Sequence, residues 1–292
     1  MFVVHRDMKI FNGKKVAQKI LEKLAAKIKK ERIQPVLAVI SVGKNEPSKL
    51  YLKLKKEAAS RISIRVQEYC FSAQVKEKEI IQKIKELNEN NEVDGIIVQL
   101  PLPVIFNRER IIGAISPTKD VDGFHQENWR LLQKNKPYFF PVLPSVILLV
   151  LSQAFKSNWK NKKITALVNS EIFGQVLKLV LKKEGAEINY LVRNNCSMSD
   201  LEKKLKSADI LITVCGCPNL IKKEMIKKGA ILIDAGITRD KDGQVVGDVD
   251  KKEIEEKASF LTPVPGGIGP LTVALLLRNV YLAARNFAAK KS

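Results

Sequence analysis

Residues 164–192 read ITALVNSEIFGQVLKLVLKKEGAEINYLV, and this stretch decides the fold class. Ile164 to Val168 is an apolar run of strand length. Ile172 to Lys183 spaces its apolar residues by three and four, and Glu187 to Val192 returns to a short β-rich run. Strand, amphipathic helix and strand within about thirty residues make a βαβ unit with parallel strands. The alternation continues in both directions. Downstream the pattern predicts a helix over 198–205, strands over 210–214 and 230–235, and a long one-sided helix over 270–289. Upstream it predicts a helix over 14–31, a strand over 36–42, a helix carrying Tyr51 and Lys55, a strand near 64–71, a helix near 76–87 and a strand over 95–100. Alternation of this kind implies an α/β architecture with parallel sheets.

A chain of 292 residues exceeds the usual size of one hydrophobic core, so two lobes are expected. The apolar helix over 144–155 is the joint. The expected division is an N-terminal α/β domain, residues 1–143, rejoined by the C-terminal helix 270–292, and a Rossmann-like nucleotide-binding domain, residues 144–269. In such a sheet the ligand lies beyond the carboxyl ends of the strands, where helix amino termini point free N–H groups.

Composition narrows the function classes. Hydrophobic residues make up 45% of the chain, enough for a substantial interior. No apolar stretch reaches the roughly 18 residues of a membrane span, and the amino terminus lacks a signal-peptide pattern, so neither membrane nor export is expected. Cys70, Cys196, Cys215 and Cys217 lack the spacing of a disulfide framework, and with only His5 and His125 to assist, no metal site is expected. The formal charge of +20 attracts polyanions in general. Its lysines are dispersed along helices without aromatic interleaving, which describes solvated faces better than a nucleic-acid surface.

Four segments carry residues suited to chemistry. In SKLYLKLK (48–55), Tyr51 and Lys55 stand one helical turn apart and share a face. In DGIIVQLPLP (94–103), Gln99 sits at a strand end, flanked by Val98 and Leu100 and followed by a proline-broken turn. In KDVDGFH (119–125), Asp120 and Asp122 alternate in a Gly-containing loop. In TPVPGGIGPLT (262–272), a rigid glycine-rich turn allows either close approach to a flat ligand or tight chain packing.

Together, in this order and at these separations, the four segments resemble the signature blocks of the bifunctional methylenetetrahydrofolate dehydrogenase and methenyltetrahydrofolate cyclohydrolase family. The resemblance runs over nearly the whole chain. It implies oxidation of 5,10-methylenetetrahydrofolate with NADP, or NAD as the alternative, followed by hydrolysis of the methenyl product to 10-formyltetrahydrofolate. It implies Lys55 as the catalytic lysine, Tyr51 against the aromatic part of the folate, and Gln99 as the partner that tunes the lysine. Asp122 would accept hydrogen bonds from the pterin, with Asp120 in support. Val98 and Leu100 would border the substrate, and Pro265, Gly266, Gly267 and Gly269 would form a wall of its pocket. A cytoplasmic homodimer is implied as well.

The cofactor loop departs from the family. Where relatives read Val-Gly-Arg-Ser, two variable residues and Val-Gly, this chain reads LVNSEIFG (167–174). Ser170 and Gly174 keep their places, but Val168 stands at the glycine position and Asn169 at the arginine position. Val168 would put a branched side chain where the pyrophosphate approaches, and Asn169 gives up a bidentate partner for the 2′-phosphate of NADP. After the next strand the chain reads LVRNNCSMSDL (191–201), about three residues longer than relatives, so that Arg193 falls where it can return a guanidinium to the cofactor site. Pro141, Val142, Leu143 and Pro144 replace the usual Pro-Cys-Thr-Pro, whereas Ala235, Gly236 and Ile237 keep the strand-end pattern facing the nicotinamide. Two rival readings follow: a cyclohydrolase with weak or lost dehydrogenase activity, and a non-catalytic nucleic-acid-binding protein on the same fold.

Overall fold

A computed structural model describes residues 8–43 and 46–291, apart from the side chains of 46–51 and 289–291. The elements in chain order are β1 (Lys9–Ile10), α1 (Gly13–Glu31), β2 (Val36–Val42), α2 (Glu46–Ser60), β3 (Arg65–Phe71), α3 (Glu77–Glu89), β4 (Gly95–Val98), α4 (Arg108–Ile112), α5 (Gln126–Gln133) and α6 (Val142–Phe155). There follow β5 (Ile164–Val168), α7 (Glu171–Lys183), β6 (Ile188–Val192), α8 (Met198–Leu205), β7 (Ile210–Val214), β8 (Ala230–Asp234), β9 (Thr238–Arg239), β10 (Val245–Val246), α9 (Lys251–Ile254), β11 (Ala258–Leu261) and α10 (Ile268–Lys291).

The chain divides into two compact units, Ala17–Val142 with Thr272–Ser292, and Met1–Val16 with Leu143–Leu271. The division differs from the expected one at the amino terminus. Lys9 and Ile10 pair in parallel with Phe260 and Leu261, so the first described residues complete the sheet of the second half. A two-residue strand whose partner lies some 250 positions away leaves no periodic trace to read.

The unit built on Ala17–Val142 contains a parallel sheet ordered β3-β2-β4. Its central strand β2 is buried along its length except for half-buried Ser41, as expected of a parallel strand covered on both faces. Val36, Ala38, Ile40 and Val42 pack from one face onto Ile80, Ile84 and Leu87 of α3. β4 ends at Val98, two residues short of the expected limit and just ahead of Pro101, which has no N–H to give to a ladder.

The other unit contains a six-stranded sheet ordered β1-β11-β8-β7-β5-β6, parallel throughout. The chain leaves β5 towards β6 and then crosses back to β7 on the opposite side. That reversal makes the carboxyl ends of β5 and β7 the switch point, the usual place for a ligand in an open α/β sheet. β5, β7 and β8 are wholly buried, and their apolar runs are what made them legible.

Candidate active site

In the unit with the three-stranded sheet, Gln99 leaves β4 with its N–H still donating to Ile40 O at 2.8 Å. Its side chain is fixed at both ends. Nε2 donates to Leu100 O at 2.8 Å, so Oε1 is the atom turned towards α2, where it accepts from Lys55 Nζ at 2.8 Å. Leu52 and Ala59 anchor the inner face of α2, and Lys55 lies half-buried between them in the sequence. Burial lowers the Lys55 pKa from the ordinary lysine value, opposed by the nearby charge of Asp122. Burial also pushes the Asp122 carboxyl up to about 6, although Lys55 pulls it down. Lys55, Gln99 and Asp122 are therefore brought together as expected. Tyr51 lies on α2 one turn before Lys55, but its side chain falls outside the described residues. Val98 is buried in the core cluster, while Leu100 is half-exposed.

The loop that presents Asp122 is held by its backbone and by the side chains of its other residues. Ile96 N–H donates to Lys119 O at 2.7 Å, so the loop runs alongside β4. Lys119 buries its ammonium and donates to Leu87 O and Asn90 O, capping the carbonyl end of α3. Asp120 accepts from His125 N at 2.7 Å and Asn128 Nδ2 at 2.9 Å, a structural role. Val121 packs on Gly95, where an added Cβ would come within 2.6 Å of Val121 Cγ1. From α10, Asn279 Nδ2 donates to Val121 O at 2.9 Å and Phe140 O at 3.3 Å. Arg108, at the start of α4, sits with its guanidinium carbon 5.4 Å from the Phe124 ring centre, and its charge lowers the Asp122 pKa. Sequence reasoning missed Lys119, Asn279 and Arg108, which show no pattern until the chain is folded.

In the other unit the predicted cofactor residues gather at the carboxyl edge of the six-stranded sheet. Val168 is 0% exposed, so its isopropyl group lies in the core. Asn169 is exposed, and its N–H donates to Val214 O at 3.1 Å. Ser170 caps α7 by accepting from Phe173 N at 3.3 Å. Gly174 lies against Tyr190, whose ring a Cβ would approach to 2.4 Å, so the glycine allows α7 to close on β6. Arg193 opens the turn after β6, with Nη1 donating to Cys196 O at 3.3 Å and Nη2 to Met198 Sδ at 3.7 Å. Its Nε is buried and has no partner among the described residues. A capped helix start, a close glycine and an underused guanidinium at a switch point fit a dinucleotide carrying phosphates.

Two buried aspartates that the sequence reading did not single out shape this edge. Asp248, 0% exposed, accepts from Cys215 N at 2.7 Å and Cys217 N at 2.8 Å, which fixes the loop after β7. Asp234 accepts from Gly236 N, Asp248 N, Val249 N and the Thr213 hydroxyl, and so holds the Ala235 to Ile237 turn. Burial, with Asp248 beside it, pushes Asp234 up to about 7. The Cys215 thiol donates to Leu167 O at 3.4 Å. The glycine-rich turn contains cis Val264–Pro265 and Gly266 at φ +106°. The amino-terminal segment clamps it: Lys14 N–H donates to Gly266 O, and a Cβ on Gly13 would meet Gly267 O at 1.8 Å. Close chain packing accounts for Gly267. Gly269 lies in the first turn of α10.

Residues 11–122 match the tetrahydrofolate dehydrogenase/cyclohydrolase catalytic domain, and residues 141–288 match the NAD(P)-binding domain of the same family. The bifunctional protein FolD of Nautilia profundicola is 39% identical over 284 residues, covering 96% of this chain and 99% of that one. FolD of Aquifex aeolicus is 40% identical over 285 residues, 96% of each chain. Among solved structures, the bifunctional FolD of Campylobacter jejuni superposes with a TM-score of 0.86 at 34% identity, over 96% of this chain and 99% of that one. The Trypanosoma brucei enzyme, solved with NADP and an inhibitor, gives 0.88 at 28% identity, over 96% and 98%. The chain belongs to the tetrahydrofolate dehydrogenase/cyclohydrolase family.

Proposed function

We propose that this protein oxidises 5,10-methylenetetrahydrofolate with NADP and hydrolyses the resulting methenyl cation to 10-formyltetrahydrofolate. The observation that carries the reading is the 2.8 Å hydrogen bond from Lys55 Nζ to Gln99 Oε1 beside the Asp122 charge. Burial raises the fraction of neutral amine, and Gln99, able only to accept through Oε1, fixes where Nζ stands.

In the hydrolysis, the neutral Lys55 amine takes a proton from the water that adds to the methenyl carbon. The ammonium so formed returns it to N5 as the carbon–N5 bond breaks, and the remaining hydroxyl proton leaves to solvent as the formyl C=O forms. Asp122 accepts from the pterin N–H groups and keeps the reacting carbon in place. Bound NADP would supply the hydride acceptor for the preceding oxidation. The α7 amino terminus with Ser170, Asn169, Arg193 and the Ile237 turn would hold it. The Val168 backbone ends the strand that leads into this site. Among the described residues no helix is long and apolar enough to cross a membrane, and no three metal-ligating side chains cluster. The family resemblance supports a cytoplasmic homodimer.

The test is Lys55→Met. General acid–base catalysis contributes about 10²–10⁴-fold, so methenyl hydrolysis, followed as loss of the methenyl chromophore, should fall by that order. Hydrolysis at the wild-type rate in the folded variant would overturn the mechanism.

A further inference from the structure

This inference rests on the dinucleotide site proposed above and concerns which dinucleotide that site prefers. In parallel dinucleotide-binding sheets the choice is made near the end of the second strand. An acid there accepts from the 2′-hydroxyl of NAD, whereas an arginine there accommodates the 2′-phosphate of NADP. In this unit the second strand is β6. Val168 and Val192 are partners across β5 and β6, so Asn169 and Arg193 leave the sheet on adjacent strands. Asn169 is neutral. Arg193 carries the charge.

The state of that guanidinium is unusual for an arginine in a surface turn. Its two internal contacts are weak, one to a carbonyl at 3.3 Å and one to a thioether at 3.7 Å. Its buried Nε has no partner. A desolvated N–H of a permanent cation is costly to leave unmade, and phosphate oxygens could replace both weak contacts at little loss. Arg193 makes no salt bridge among the described residues, and the carboxylates at the starts of α8 and α7 have partners of their own. Asp200 accepts from the Ser197 hydroxyl at 2.8 Å, and Glu171 accepts from the Tyr190 hydroxyl. The turn is closed by Cys196, whose N–H donates to Arg193 O at 3.3 Å.

We propose that Arg193, in the turn after β6, is the residue that makes this site select a 2′-phosphorylated dinucleotide. The pairing uses the planar guanidinium once its two weak internal contacts are given up, a geometry that a lysine reproduces only as a point charge.

Calorimetric titration of the full-length protein with adenosine 2′,5′-bisphosphate and with adenosine 5′-monophosphate tests this without any turnover. The wild type should bind the bisphosphate more tightly by roughly ten- to a hundred-fold, the range of a charged hydrogen-bonded pair. R193Q should lose most of that ratio while its affinity for the monophosphate stays the same, and R193K should keep part of it. An unchanged ratio in R193Q, or no preference in the wild type, overturns the proposal. If neither nucleotide binds to the wild type, the dinucleotide reading itself falls, and this inference falls with it.

Discussion

Lys55 and Asp122 are two groups whose surroundings push each towards its neutral form while each supports the other's charge. The consequence for pH is directional. As pH falls through about 6, Asp122 takes up a proton, stops supporting the Lys55 ammonium and, in the proposed complex, would cease to accept from the pterin. The kcat/KM for methylenetetrahydrofolate should therefore have an acidic limb near that pH, and Asp122→Asn should lack the limb while starting from a lower plateau. Stability runs the other way. A carboxyl whose folded pKa is raised favours the folded state when protonated, so that contribution is present at low pH and lost as pH rises through about 6. Asp122→Asn should thus melt above the wild type at neutral pH, with the gap closing towards pH ~4, the ordinary aspartate range. Melting curves at the two pH values check this, and a variant that melts lower at neutral pH would refute the burial argument. At this scale the sequence was informative where chemistry recurs as a local block. Lys55, Gln99 and Asp122 were found that way. It was uninformative where a side chain serves backbone groups distant along the chain, as Asp248 does for the loop of Cys215 and Cys217. Sequence position alone does not say which way a strand's last side chain points, and the burial of Val168 had no local signal.

Elements matter here as supports for loops. Most helices and strands followed from apolar spacing, but β1, β9, β10, β11, α4, α5 and α9 did not. Each is eight residues or shorter, and length is what makes a period visible. The C-terminal helix was legible as a helix, yet its function as a pin was not, because Asn279, next to Arg278, reads as part of a short polar break in an apolar run. It is 2% exposed and donates to two carbonyls of the segment that presents Asp122. Asn279→Ala leaves both carbonyls short of a donor at a cost of about 1–3 kcal/mol. Urea unfolding should show that loss, and kcat/KM should fall as the Asp122 loop loosens. Asn286→Ala, at an exposed position of the same helix, is the control and should change neither. Equal effects from the two substitutions would mean that helix propensity, not the pin, sets the cost.

For the molecule as a whole, the alternation of strands and helices gave the class of both sheets, while the pairing of residues 9–10 with 260–261 lay beyond any local pattern. Net charge is legible from composition alone, and its meaning belongs to this scale. The +20 is distributed along exposed helix positions, among them Lys15, Lys19, Lys23 and Lys27 of α1. A field made this way steers any polyanion and specifies none, so its effect should be on encounter rates. NADP carries several negative charges. Its association rate, measured by stopped-flow fluorescence of the reduced cofactor, should fall roughly three- to ten-fold between about 20 and 200 mM salt, as the screening length shortens towards the spacing of the surface charges. The dissociation rate should change less, because the contacts proposed around Arg193 and the α7 amino terminus are short-ranged. A salt-independent association rate would show that the lysines only keep the protein hydrated. A steep salt dependence of RNA binding with micromolar or tighter affinity would instead give the charge a specific partner, which its even spread along helix faces argues against.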